Sequence, residues 1–256
     1  MVEWMRVVSR VILVALSFTT GAGAQGAIDH VAAGDRLYAA RDAKGALREY
    51  ELAIAANPLN YDALCKASRS AVDLGEFEPD PDQRTSFFAK GRSYGQAAAT
   101  AVPGDAEGHF ALARATGRAA LAVGVRQRIS YGKLVRNEAL AALALAPDHA
   151  GALHVMGLWN AEVMRLPGLL RFIARTFLGG EVFSEANWNL AQRYLERAAA
   201  AEPNRIVHRL DLGMVLRDRG DIAGASTQFE WITRAVATDF NDPHYKQQAA
   251  TEWRKL

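Results

Sequence analysis

The stretch of this chain that comes nearest to a catalytic signature is Gly91-Arg92-Ser93-Tyr94-Gly95. In a G-x-S-x-G string the glycines permit a strained turn between a strand and a helix, which pushes the serine hydroxyl out as a nucleophile. No strand pattern leads into Ser93, and the residues around it have the spacing of a helix, so no hydrolase is expected. A second string, Gly124 to Lys133, is superficially like a phosphate loop. The P-loop pattern requires glycine where Gln127 stands and Ser or Thr where Leu134 stands, so the phosphate cradle and the magnesium ligand are both missing. The 124–133 stretch reads instead as a basic loop between helices. Six histidines are present, but no two sit four apart on one helix with a carboxylate between them, and His149 and His154 are spaced to face different ways. The single cysteine, Cys65, excludes an intramolecular disulfide and any C-x-x-C metal or redox pair. No catalytic residue, metal or cofactor is expected.

With nucleophile, phosphate and metal chemistry set aside, the sequence points to binding, and binding depends on what positions the side chains. Half of the 256 residues are apolar and 23% are charged, enough apolar material to bury a core. The net charge of +2 gives no electrostatic case for nucleic acid. The run GDRLYAARDAKGALREYELAIAANP carries Gly34, Leu37, Ala46, Tyr50, Ala53 and Pro58 at the spacings of a tetratricopeptide motif, a helix hairpin in which small residues permit a close crossing and proline ends the unit. Pro58, Pro103, Pro147 and Pro203 close similar units and lie 45, 44 and 56 residues apart. Against a period of roughly 34 residues each carries an insertion, expected in the turn between its two helices. The second unit reads as helices Leu64–Gly75 and Phe87–Ala101 around a loop containing Pro79 and Pro81. The third reads as His109–Val123 and Val135–Leu145, and the fourth as Leu153–Met164 and Trp188–Ala200. The fifth returns to the plain form with Leu212, Gly213, Leu216, Gly220, Ala225 and Phe229, and a helix from His244 to Arg254 would cap the stack.

The expected fold is therefore all-α: a tetratricopeptide-like α-solenoid, a right-handed superhelix of about five hairpins. The repeats would fall at about 27–58, 59–103, 104–147, 148–203 and 204–238, with a cap at 243–256. Gly157, Ala198 and Gly213 are expected at close helix crossings. The fourth repeat holds an inserted helix, Leu166 to Leu178, with Arg165, Arg171 and Arg175 and one apolar stripe at 166, 169, 170, 173 and 177. A single stripe favours packing against the repeat over peripheral contact with a membrane.

Solenoids of this kind bind along the concave face, which is lined by the first helix of each hairpin. The register places Lys66, Arg69, Arg114, Arg118, His154, Leu158, Glu162, Met214 and Arg217 there. The cations among them suggest a protein or peptide partner of acidic character. The chaperone-binding carboxylate clamp is only loosely similar, since Phe110 and His154 occupy positions where its polar set would stand.

Residues 1–24 have the form of a secretory signal: Arg6 and Arg10, the apolar run from Val11 to Phe18, and the small-x-small site Ala22-Gly23-Ala24. Cleavage after Ala24 would leave a single domain, 25–256, exported most simply to a bacterial periplasm. The apolar run is shorter than the ~20 residues of a spanning helix.

Beyond the general motif, the runs PDHAGALHVMGLWNAEV, LLRFIARTFLGG, SEANWNLAQRYLERAAAAEP and LDLGMVLRDRGDIAGA resemble the regulator of microtubule dynamics family. The likeness extends over about residues 30–240. It implies a divergent tetratricopeptide domain with an inserted helix, non-enzymatic interaction as the class of activity, and no catalytic residues to transfer. A scaffold or assembly factor is the expected role, and a carrier holding an apolar ligand or lipid in the groove is the alternative.

Overall fold

The computed structural model describes residues 26–168 and 181–256. The signal expected at 1–24 and nearly all of the inserted helix expected at Leu166–Leu178 lie outside the described residues. Eleven α-helices occur among the described residues, with no strand. They are α1 (26–39), α2 (Ala43–Ala56), α3 (Tyr61–Glu76), α4 (Pro81–Ala101), α5 (Ala106–Ala119), α6 (Val125–Leu145), α7 (Ala150–Arg165), α8 (Trp188–Ala201), α9 (Ile206–Asp218), α10 (Ile222–Arg234) and α11 (Asp242–Trp253). Consecutive helices pack as antiparallel hairpins that stack in chain order, the arrangement of a tetratricopeptide-like α-solenoid. None of the described helices is long and apolar enough to cross a membrane.

Local chemistry fixes where the helices begin and end. Asp42, Asn60, Asp80, Asp105, Asn187 and Asp221 each accept a hydrogen bond from a backbone N–H of the first turn they precede, as does the ring of His149. At the other end, α2, α4, α6 and α8 each stop two residues before a proline. The tight turns of the first and last hairpins have one design. Arg41 and Gly220 take positive φ of 64° and 83°, and the following N–H groups reach back to the carbonyls of Leu37 and Leu216. Asp42 and Asp221 then cap the next helix through Gly45 N and Gly224 N.

The insertions are resolved differently from the expectation of loops. Helices α4 and α6 are each 21 residues long, against 14 for α2. Pro81 stands at the first turn of α4, where its missing N–H costs nothing, so only residues 77–80 interrupt the chain. The basic stretch 125–133 is likewise helical: it continues α6 by two turns, and Arg128 bonds back to the carbonyls of Ala120 and Val123. Leu166 ends α7 as its exposed C-cap and does not open the inserted helix.

Close crossings fall where the repeat register places them. A Cβ on Gly157 would stand 2.5 Å from Leu195, one on Gly213 2.6 Å from the Phe229 ring, and one on Gly34 2.4 Å from the Tyr50 ring. Leu195, Phe229, Tyr50 and Ala198 are all fully buried. Gly95, the last residue of the serine-containing string, lies against the α5 backbone at Leu112. That string is therefore the middle of a helix that needs small residues to pack, and Ser93 is exposed on its far side.

The capping helix α11 packs on α9 and α10 through Tyr245 and Ala249, which belong to the last hydrophobic core together with Phe229, Ile232 and Leu212. It also does more than cap. The segment entering it reaches across the solenoid to the first two hairpins. Tyr38 donates to Asp239 over 3.1 Å, and Asn241 donates to the Asp73 carbonyl over 3.0 Å. The Phe77 ring stacks on His244 at 4.4 Å. The two ends of the solenoid therefore meet.

Candidate interaction groove

The C-terminal halves of α3 and α5 carry the side chains at the meeting point. On α3, Lys66, Arg69, Asp73 and Glu76 follow one another at intervals of three and four, which keeps them on one face. On α5, Arg114 and Arg118 are four apart and face them. Asp73, 4% exposed at its side chain, accepts from Arg114 Nη2 at 2.5 Å through one oxygen and from the Tyr38 hydroxyl at 2.7 Å through the other. Glu76 pairs with Arg118 and lies 3.9 Å from Arg114. Arg69 lays its guanidinium 3.8 Å over the Tyr38 ring. From the carboxy-terminal side, Asp239 pairs with Arg205, and Tyr245 inserts its ring edge-on toward Phe77.

The electrostatics of this hub are mutual. Burial works against the charge of Arg114, but Asp73 and Glu76 more than restore it and hold the guanidinium firmly protonated. Burial, reinforced by the neighbouring Asp73, pushes the Tyr38 hydroxyl above its usual range, so it remains a donor. Burial and then Glu76 do the same to Tyr245.

The other residues expected in the groove join neighbouring networks. Lys66 bridges Asp35 at 2.8 Å and Asp62 at 2.7 Å. Glu162 pairs with Arg165, which also holds Asp218. Arg217 pairs with Asp218 and with Glu252 of α11. Met214 receives the Gln248 amide at 3.6 Å, and Leu158 is half-buried on α7. All nine thus lie on first helices, but most of the cations among them are already paired in this state. Lys66, Arg114, Arg118 and Arg217 each already have a carboxylate within 4 Å, supplied by Asp35 and Asp62 for Lys66 and by Asp73, Glu76 and Glu252 for the arginines.

His154 is not a groove side chain. It is buried between α7 and α9 with its Nδ1 2.7 Å from Nδ1 of His208. The outer nitrogens face carboxylates, His154 Nε2 to Asp211 at 3.1 Å and His208 Nε2 to Glu202 at 3.2 Å. Each ring nitrogen of the pair thus faces a polar partner. Burial, the largest influence on it, pushes the His208 pKa down to about 4. Among the described residues no group of three or more His, Cys, Asp or Glu could hold a metal ion.

Sequence reasoning placed the capping helix but missed the carboxylate half of the hub and the reach of the closing segment to the first two hairpins. Asp73 and Glu76 were within reach: they continue the stripe begun by Lys66 and Arg69. Tyr38, Arg205, Asp239, Asn241 and Tyr245 gave no such signal, because they meet only through closure of the solenoid.

Comparison with a solved structure supports the same architecture. TTC0263, a thermophilic TPR protein of Thermus thermophilus, superposes with a TM-score of 0.63 at 19% identity, covering 88% of this chain and 99% of its own. A structure of Pseudomonas aeruginosa pilF gives 0.49 at 10% identity over 92% and 93% of the two chains. No curated protein sequence matches significantly. The family described as Regulator of microtubule dynamics protein 1-3 matches residues 30–256. By a match over nearly its whole length, joined to the tetratricopeptide-like stack of its helices, the chain belongs to the regulator of microtubule dynamics protein family.

Proposed function

We propose that the protein is a non-enzymatic interaction protein, a scaffold or assembly factor, that engages a segment of another protein along the face formed by α3, α5, α7 and α9. One observation carries this reading. Charged and aromatic side chains from successive first helices converge on one surface, and a short helical segment already lies across it through hydrogen bonds, ion pairs and ring stacking. That is the chemistry by which a solenoid holds a peptide. Export of the mature chain, as the amino-terminal pattern suggests, would place this activity in an extracytoplasmic compartment, with partners other than microtubules.

A carrier for an apolar ligand is the weaker reading, because an acyl chain would have to displace paired charges such as Asp73–Arg114 and Glu76–Arg118. In-cell photo-crosslinking from Leu158 and from Phe77 at the rim tests the proposal. Trapping of a defined second protein at both positions is expected. Crosslinks only between copies of the chain would replace the scaffold reading with self-association, and a co-purifying lipid in native mass spectrometry would favour the carrier.

A further inference from the structure

The segment that closes the solenoid is held in two different ways. Its attachment to its own repeat is a buried core edged by ion pairs: Tyr245 and Ala249 are buried in the last core, and Asp239 and Glu252 pair with Arg205 and Arg217. Its attachment to the first two hairpins is largely polar: Tyr38 to Asp239, Asn241 to the Asp73 carbonyl, and the His244 ring and the edge of Tyr245 on Phe77, which stays 36% exposed. Hydrogen bonds of this kind contribute little net stability, since a competitor or water supplies nearly equivalent ones. The fit is also incomplete. On the face, Arg69 Nε and Glu76 Oε2 are buried without a hydrogen-bond partner, and so is Asn241 Oδ1 on the segment itself. A buried polar atom left unmatched is costly, so an occupant that satisfied Arg69 Nε and Glu76 Oε2, with no unmatched oxygen of its own, would hold the surface better than the chain's own segment does. The connection to α10 allows release: Val236 is 79% exposed, and residues 236–238 lie outside any helix.

We propose that residues 239–253 are an intramolecular occupant of the binding face and that a partner displaces them. The partner is a protein segment of the same chemistry: a carboxylate to meet Arg205, an amide to meet the Asp73 carbonyl, and an aromatic ring to stack on Phe77. This rests on the reading of the face as a protein-binding surface. Release also explains how a face whose cations are mostly paired comes to favour an acidic segment. When the closing segment leaves, Asp239 and Glu252 leave with it, and Arg205 and Arg217 lose these carboxylates while remaining in place. The closed state neutralises the surface and the open state exposes its charge.

The test uses the full chain and a fluorescent peptide with the sequence of residues 236–256, with a scrambled peptide as control. Asp239→Ala/Asn241→Ala opens the contact. Phe77→Cys/His244→Cys bridged by a short bis-maleimide locks it, Cys65 being buried and its thiol pushed up to about 12, chiefly by burial. In fluorescence anisotropy the opened chain is expected to bind the peptide at least tenfold more tightly than wild type, and the locked chain not at all. Equal affinity for opened, wild-type and locked chains, or for the scrambled peptide, overturns the proposal. Dimerisation of the opened chain by exchange of α11, seen by light scattering and blocked by the peptide, would also overturn it by making a second copy the occupant. If the opened variant does not fold, hydrogen exchange on wild type decides: α11 opening separately from α10 is required, and joint opening refutes displacement. Photo-crosslinking from Leu158 that traps the same protein equally in wild-type, opened and locked chains would sink this proposal while leaving the interaction reading intact.

Discussion

Removing the Asp73 carboxylate is the sharpest perturbation of the hub, and its cost can be worked from the contacts. In Asp73→Ala the Tyr38 hydroxyl keeps Asp239 as an acceptor at 3.1 Å, so its loss is small. Arg114 fares worse. Its partner at 2.5 Å disappears, and the nearest remaining carboxylate is Glu76 at 3.9 Å, already engaged by Arg118. Breaking a buried pair by deleting one member costs about 3–5 kcal/mol. Because the Arg114 side chain is 19% exposed and Glu76 compensates in part, about 2–3 kcal/mol is the better figure here. For a domain of this size that corresponds to a fall in Tm of roughly 5–10 °C, read by far-UV circular dichroism and matched by the shift in urea midpoint. The control is Asp73→Leu/Arg114→Met, which leaves no orphaned charge and should recover most of the loss. A fall below about 2 °C in Asp73→Ala, or a double variant no better than the sum of its singles, would refute the account of the hub as a mutually satisfied buried pair.

Three further outcomes follow from local geometry. Arg41 occupies the left-handed conformation that glycine fills in the equivalent turn at Gly220. Arg41→Gly should therefore raise stability by about 0.5–1 kcal/mol, the relief of a strained φ less the chain entropy that glycine adds, and a lowered urea midpoint would show the turn to be wrongly read. Gly213→Leu should cost about 1–3 kcal/mol by overpacking, since even a Cβ there meets the fully buried Phe229 ring, and an unchanged Tm would mean the repeat register is displaced. His208, held below its unfolded pKa chiefly by burial, binds its proton more weakly when folded than when unfolded. The unfolded state therefore gains protons first as pH falls, so the His208 contribution is complete above about 6.5 and drops toward pH 4 by at most about 3 kcal/mol. Urea midpoints measured across this window should lose much of their slope in His208→Gln, and an unaltered slope would assign the titration elsewhere.

The fold was legible in the sequence because a repeat protein writes its packing locally. Gly34 and Tyr50, or Gly213 and Phe229, are 16 apart in both plain hairpins, and that single spacing encodes a helix crossing that the structure places in contact. The prolines encode the helix ends in the same way. Where the local code was ambiguous, physics at the next level decided. Residues 125–133 have few apolar positions and read as a loop, but Gly124 opens a helix there and Trp159 Nε1 donates to the Gly132 carbonyl, so contact with α7 rather than propensity carries the extension. Half of the candidate site was equally local: Lys66, Arg69, Arg114 and Arg118 lie on the stripes that the register dictates.

The illegible half is the part that departs from one-dimensional order. A solenoid whose repeats touch only their neighbours has stability that sums over adjacent pairs. Here Tyr38 meets Asp239 across 201 positions and Asn241 meets Asp73 across 168, and no periodic pattern relates such residues. These contacts couple the first hairpins to the last, so a loss at Asp239 should be felt at α1 as well as at α11. They are also polar, so each is exchangeable. A closing contact built from the core residues of α9 and α10 would have fixed the ring permanently. One built from an aspartate, an asparagine and a stacked histidine holds the ends together while leaving the same groups open to a better-matched partner.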